Sequence, residues 1–489
     1  MFENGIYRSS LALLTDMYQL TMAFGYWRLG IHDRLASFNL FFRRPPFAGG
    51  YTIAAGLEDA LTFLEKLRFN DDDLAYLESL RGADGNALFN GDFIRFLQQF
   101  KFDCDVHAVP EGTVVFPHEP ILRVTGPVLA CQLVETALLN IVNYQTLVAT
   151  KAARVCYSAQ GDSVVEFGLR RAHGIDGGLS ASRAAFIGGC SATSNLLAGK
   201  TYGIPVSGTH AHSWVMCFEN ELDAFTEYAN TMPGNCVLLV DTYDSLRGVK
   251  HAIEVGKKLE LQGKQLLGIR LDSGDLAYLS IEARRLLDEA GFTNTQIIAS
   301  NDLDEVIIDS LKRQGAKINI WGVGTKLVTS YDQPALGGVY KLSLIQNERG
   351  QWLPKLKLSE QAVKISTPGL LQVRRFSDDK GAVADMIFDE LTPPPAGATI
   401  IDPLDPTRRR RLTEDLKSED LLQKVMESGQ RVANTMSLHQ IQVNTKNQLE
   451  NFHDGIKRLV HPHRYPVGLE QNLYEAKTRL ILKQRGFSE

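Results

Sequence analysis

Cysteine is scarce and scattered. The six in this 489-residue chain (Cys104, Cys131, Cys156, Cys190, Cys217 and Cys236) never fall into a CxxC or zinc-ligand spacing, and so few in so long a chain do not make a secreted disulfide scaffold. They read as reduced, mostly buried thiols of a cytoplasmic protein. Basic excess is missing too: Lys+Arg number 52 against 57 Asp+Glu, a formal net charge of -5. Nothing in that balance neutralises nucleic-acid phosphates, so no nucleic-acid partner is expected. No run reaches the roughly 18 apolar residues of a membrane span, and the most apolar stretch, near 120–150, is broken by Gln132, Glu135, Asn140 and Asn143. No membrane association is expected. The start, MFENGIYRSS, lacks the charged segment, apolar run and cleavage site of a secretory signal. Long-period repeats and low-complexity tracts are absent as well.

What is present is a globular composition, with 44% hydrophobic residues and a length that suggests two to three domains. The opening third mixes a helix through Leu11–Trp27, an alternating strand at Ser37–Phe42 and helices near 56–67, 71–80 and 91–99. That is an α+β texture. Apolar residues then recur at helical spacing from Val128 to about Ser158, longer than an ordinary globular helix and able to conceal a break. From about residue 162, β-branched runs alternate with helical segments, the pattern of βα units on a parallel sheet. The expected strands are 163–167, 203–208, 236–241, 266–272, 296–302 and 318–324, with helices at about 180–198, 219–230, 244–260, 275–290 and 302–314. Each strand ends in residues poor for burial and good for chemistry. Six such ends converging on one mouth favour a barrel over an open sheet, which gathers its ligand at one switch point. The fold class is therefore α/β: an incomplete TIM-like barrel with an α+β N-terminal domain and a C-terminal extension. Boundaries are expected at 1–128, 129–345 and 346–489, the last packing on the other two. VYKLSLI (339–345) is strand-like, the run Arg408–Arg411 reads as a solvated loop or intersubunit salt-bridge cluster, and the tail 431–489 reads as helical and polar.

The densest chemistry lies in 166–212. EFGLRRAHG sets Phe167, Arg170 and Arg171 at a strand end, where a ring can stack on a planar ligand and guanidinium groups can hold a carboxylate or phosphate. In GTHAHSW, His210 and His212 share one face of an extended segment; a metal needs further ligands than these, and a histidine among hydroxyls at a strand end suits a phosphoryl acceptor or general base. GIRLDSGDL offers Arg270, Asp272 and Asp275, with Asp275 placed as a helix cap and Asp272 as the ligand candidate. WGVGTKL carries Gly322, Gly324 and Thr325 after the last strand, where barrels build phosphate sites from backbone N–H groups. Two motifs fail. SNLLAGKT (194–201) has Ser194 where a P-loop needs glycine, and no GxGxxG follows a strand, so a Rossmann nicotinamide cofactor has no support.

These residues resemble the nicotinate phosphoribosyltransferases among the type II phosphoribosyltransferases. The matching segments, in family order, are LLTDMYQLTMAFGYW (13–27), FNLFFRRPPFAGGYTIAAGL (38–57), EFGLRRAHGIDGGLSASR (166–183), GTHAHSWV (208–215), IRLDSGDL (269–276), ASNDLDE (299–305), IWGVGTKL (320–327) and KLKLSEQAVKISTPG (355–369). The resemblance implies transfer of phosphoribosyl from 5-phosphoribosyl 1-diphosphate to nicotinate, a step of NAD salvage. It also implies Mg²⁺, and ATP hydrolysis coupled through a phosphohistidine, a ligase-type reaction. By motif, Phe167 and the partner subunit's Tyr18 would sandwich the nicotinate ring in a homodimer, with Thr209, Arg270 and Arg170 as further nicotinate contacts. His212 would be the phosphorylated residue and His210 its neighbour. Asp272 would hold the ribose or its Mg²⁺, Asp241 would be a further polar contact, and Gly322, Gly324 and Thr325 would bind the 5'-phosphate. Two alternatives are a nicotinamide phosphoribosyltransferase and a non-catalytic metabolite-binding barrel. Residues 189–195 hold no acidic side chain to receive an amide N–H, and the paired arginines favour a carboxylate.

Overall fold

Six short parallel strands carry the middle of the chain in the computed structural model, which describes residues 11–487. They are β1 (Ser163–Glu166), β2 (Ala192–Thr193), β3 (Val237–Leu239), β4 (Gly268–Leu271), β5 (Gln296–Ala299) and β6 (Ile320–Val323). Their order in the sheet is β2-β1-β6-β5-β4-β3. The first strand therefore pairs with the last, Glu166 opposite Val323, and the sheet curls into a barrel with one open seam between β2 and β3. Val164, Ile269, Ile297 and Trp321 are buried in these strands, as expected where helices cover the outside of a parallel sheet. The indole N–H of Trp321 donates to Asp162 Oδ2 at 3.0 Å.

Aspartates at the strand ends divide into two jobs by spacing. Asp244, Asp275 and Asp304 cap the helices Ser245–Leu261, Leu276–Glu289 and Glu305–Arg313, each accepting a backbone N–H from the first turn; such a cap stabilises by about 1 kcal/mol. Asp241 and Asp272 stand three residues before the first two caps and are left for the site. Helix Ser245–Leu261 shows the packing that follows, burying Val249, Ala252, Val255, Gly256 and Leu259 on one face.

Several sequence expectations are corrected here. Residues 203–208 form no strand: Gly203 is left-handed and Pro205 has no N–H, so only Val206 bridges, to Thr193 of β2. The expected helix at 180–198 is instead Gly174–Ile187, followed by β2 and the helix Leu196–Tyr202. Gly178 lets helix Gly174–Ile187 pack closely against Leu169, where an added Cβ would approach Leu169 Cδ1 to 2.7 Å. The first helix runs Met17–Arg28, leaving Leu11–Asp16 outside it, and the long apolar segment is two helices, Val128–Leu133 and Glu135–Ser158.

Contacts divide the chain into two compact units, 148–334 and the pair 1–147 with 335–489. In the second unit a seven-stranded sheet runs from Trp352–Pro354 through Gly338–Gln346, Leu35–Phe42, Leu122–Pro127 and Asp105–Ala108 to Gln423–Glu427 and Gln430–Arg431. Both ends of the chain thus share one sheet. A further sheet pairs Leu371–Asp378 with Gly381–Asp389 and takes in Val467–Glu470. Arg409–Arg411 is an exposed edge strand of that sheet, paired with Thr399–Ile401, and not a loop. Of the six cysteines, Cys104, Cys131, Cys190 and Cys236 are buried. Among the described residues no helix is long and apolar enough to cross a membrane, and no group of three or more His, Cys, Asp or Glu side chains could hold a metal ion.

Candidate active site

The site is organised by the guanidinium of Arg270, on β4. Its Nε donates to Ser300 Oγ at 2.8 Å, Nη1 to Thr209 Oγ1 at 3.0 Å and Nη2 to Asp272 Oδ1 at 2.8 Å. These acceptors come from three strand ends or the loops beside them, so the barrel itself sets the plane of the fork. Its Cζ lies 5.6 Å from the centre of the Phe167 ring, a cation–π distance. A guanidinium has five N–H groups; the two not engaged here remain available to a ligand.

The Asp272 carboxylate is shared among three side chains. Oδ1 takes Arg270 and a short hydrogen bond from the Ser300 hydroxyl, and Oδ2 faces His212 Nε2 at 3.7 Å. Burial pushes the carboxyl up, but Ser300, Arg270 and His212 outweigh it and hold Asp272 below the usual carboxylate range. Asp241 supports it from β3's end, its Oδ2 accepting the N–H of Asp272 at 2.8 Å and the hydroxyl of Ser273 at 2.6 Å. Asp241 Oδ1 is buried with no hydrogen-bond partner.

The two histidines separate cleanly. His212 is half-buried, its Nδ1 3.1 Å from Thr242 Oγ1 and its Nε2 toward Asp272. His210 is buried, and its Nε2 accepts the backbone N–H of Leu239 at 3.1 Å. Burial, above all, holds its pKa below the ordinary value. A neutral ring with Nε2 accepting must carry its proton on Nδ1, which lies 3.3 Å from Ala211 O. His210 is thus a strut tying the Thr209–His212 loop to β3.

Phe167 is positioned from below by Glu166. That buried carboxylate accepts from Ser182 Oγ at 2.9 Å, Thr193 Oγ1 at 2.6 Å and, in a short bond, the N–H of Gly168. Gly322 gives the Phe167 ring room, since a Cβ there would come within 2.6 Å of it, and Gly324 lies against the Phe167 backbone, where a Cβ would stand 3.2 Å from the carbonyl oxygen. Thr325 opens the short turn Thr325–Val328 beside them. Arg170 is exposed in the turn Leu169–Arg171. Tyr18 belongs to the other compact unit, on helix Met17–Arg28, and is 48% exposed. Sequence reasoning gives Ser300 and Thr242 no role beyond standing at strand ends, and only their contacts with Arg270, Asp272 and His212 single them out.

Fold and site together define a β/α barrel with an arginine fork beside a histidine–carboxylate pair. The chain matches the nicotinate phosphoribosyltransferase (NAPRTase) N-terminal domain over residues 13–143, the NAPRTase family over 163–352 and the C-terminal domain over 372–477. It is 45% identical to nicotinate phosphoribosyltransferase of Bacillus subtilis across 98% of this chain and 97% of that one. With nicotinate phosphoribosyltransferase 2 of Arabidopsis thaliana it shares 37% identity over 95% of this chain and 93% of that one. The crystal structure of human nicotinic acid phosphoribosyltransferase superposes with a TM-score of 0.84 at 31% identity, over 95% of this chain and 99% of that one. The chain belongs to the nicotinate phosphoribosyltransferase family.

Proposed function

We propose that this protein transfers the phosphoribosyl group of 5-phosphoribosyl 1-diphosphate to nicotinate, giving nicotinate mononucleotide and diphosphate, with ATP hydrolysed through a phosphohistidine at His212. The observation that carries the reading is the Arg270 fork, fixed over Phe167 by Thr209, Ser300 and Asp272. Its two free N–H groups suit the nicotinate carboxylate, and Phe167 suits the ring face. Arg170 adds positive charge nearby. The absence of an acidic side chain in 189–195 favours a carboxylate over an amide at the same position.

In the transfer, the pyridine nitrogen forms a bond to ribose C1 as the C1–O bond to diphosphate breaks, through an oxocarbenium-like transition state. Phe167, Thr209 and Arg270 hold the weak nucleophile in line, which supplies the orientation part of the rate. Asp272 and Asp241 contact the ribose. Gly322, Gly324 and Thr325 take the 5'-phosphate on backbone N–H groups. The donor set fits Mg²⁺, which takes one or two carboxylates together with substrate phosphate oxygens: Asp272 would hold it, and the unpartnered buried Oδ1 of Asp241 is a second acceptor beside it. The ion would supply charge stabilisation for the departing diphosphate.

His212 takes the γ-phosphoryl of ATP, releasing ADP, and water later returns it as phosphate. Thr242 and Asp272 orient the imidazole. Phosphorylation adds about two negative charges beside Asp272, which reorders anion binding there. The exposed apolar side chains of Met17, Tyr18 and Met22 support a homodimer in which the partner subunit's Tyr18 covers the nicotinate ring. Incubation with γ-labelled ATP tests the phosphohistidine: an acid-labile label lost in His212→Ala is expected, and an equally labelled variant would overturn it.

A further inference from the structure

A second concave site lies in the unit built from both ends of the chain. A cavity of about 310 Å³ is lined by Arg43, His118, Arg464 and Tyr465, among others. A neighbouring one of about 230 Å³ shares His118 with it and adds Lys477 and Arg485. Cations outnumber carboxylates around both. Asp402 is engaged by Arg464 at 2.8 Å, and the exposed Glu360 lines only the smaller cavity. Arg43 Nε and His118 Nε2 are buried with no hydrogen-bond partner. The ammonium of Lys477 donates to the Thr367 hydroxyl at 3.1 Å, with no carboxylate against it among the described residues.

Burial pushes Lys477 down to about 8, and burial followed by the charges of Lys477 and Arg43 pushes His118 down to about 4. A buried ammonium with no carboxylate against it is costly to a fold. The backbone adds an independent sign. His118 has φ +72°, a left-handed position that glycine ordinarily fills, and its N–H donates to Phe42 O at 2.8 Å, which holds it there. Strain of this kind concentrates where a side chain must be aimed.

We propose that these two adjoining cavities, joined at His118, bind one small phosphorylated molecule, with Arg43, His118 and Lys477 on the phosphate and the Tyr465 wall of the larger cavity against the rest of the ligand. The three donors come from the end of strand Leu35–Phe42, the turn before Leu122–Pro127 and the helix Gln471–Gln484. An anion there ties the two ends of the chain together. The site uses none of the barrel residues and stands independently of the transfer reaction.

Equilibrium dialysis of the full chain against labelled inorganic phosphate tests it. Lys477→Met should lose one phosphate per chain relative to the parent, Lys477→Arg should keep it, and KM for phosphoribosyl diphosphate should stay unchanged in both. His118→Asn, which tolerates the left-handed backbone, should weaken the same phosphate at least tenfold and gives the test a second route if Lys477→Met does not fold. Unchanged phosphate binding in Lys477→Met or in His118→Asn would overturn the site, as would a parallel rise in KM, which would assign the lost phosphate to the transfer site. Ribose 5-phosphate displacing the label at lower concentration than phosphate supports the larger ligand; phosphate displacing it at the lower concentration overturns that part.

Discussion

His212 Nε2 stands 3.7 Å from one oxygen of Asp272, while Arg270 Nη2 holds the other oxygen of the same carboxylate at 2.8 Å. One side chain thus joins the group that would take a phosphoryl to the group that would hold the base. Asp272→Asn keeps the shape and removes the charge. Since a hydrogen bond to a charged group contributes about 1.5–3 kcal/mol, kcat/KM should fall about 10- to 100-fold, and circular dichroism should show an intact fold. Full activity in that variant would remove Asp272 from the site.

His212→Ala separates the two chemistries. ATP stimulation should vanish while some ATP-independent transfer remains, because the Arg270 fork does not contact His212. Initial rates with and without ATP read this directly. Loss of both activities in a folded variant would make His212 essential to the transfer itself.

Sharing of Tyr18 across a homodimer has its own signature. Tyr18→Ala and Asp272→Asn should each be weak alone. After mixing through a reversible dissociation step, about a quarter of the parent activity should return, the share set by random pairing into two-fold dimers. No recovery in mixed dimers would place Tyr18 and Asp272 in the same subunit's site.

The acid limb of stability tests His118. Its folded pKa is about 4 against an ordinary 6.5, so below the ordinary value the unfolded chain binds the proton and the folded one does not. Stability from this group is complete above 6.5 and is lost as pH falls toward 4, by at most about 3 kcal/mol. Denaturant unfolding at pH 7 and pH 4.5 should show a larger drop for the parent than for His118→Asn; equal drops would contradict the assignment.

The barrel is legible in the sequence because its strands are short, apolar and β-branched, and because chemistry clusters where each one ends. The Asp272/Asp275 division is legible as well, since a cap must precede its helix and a ligand must follow its strand. Strand β2 is not, being two residues long and recognisable only by its parallel pairing with β1, Ala192 opposite Val165 and Thr193 opposite Glu166. Nor are the strands Leu371–Asp378 and Gly381–Asp389, whose charged residues mask an alternating pattern that pairing alone reveals. Ser300 and Thr242 escape for a different reason. A hydroxyl acquires a role through what stands within 3 Å or so of it, and that neighbour comes from a part of the chain about thirty residues away.

Coupled transfer to nicotinate can be assayed directly. Purified protein given phosphoribosyl diphosphate and Mg²⁺, with nicotinate or nicotinamide and with or without ATP, can be read by chromatography. Nicotinate mononucleotide is the expected product, with ADP formed in step when ATP is present. Nicotinamide mononucleotide as the sole product, or no nucleotide from either base, would contradict it.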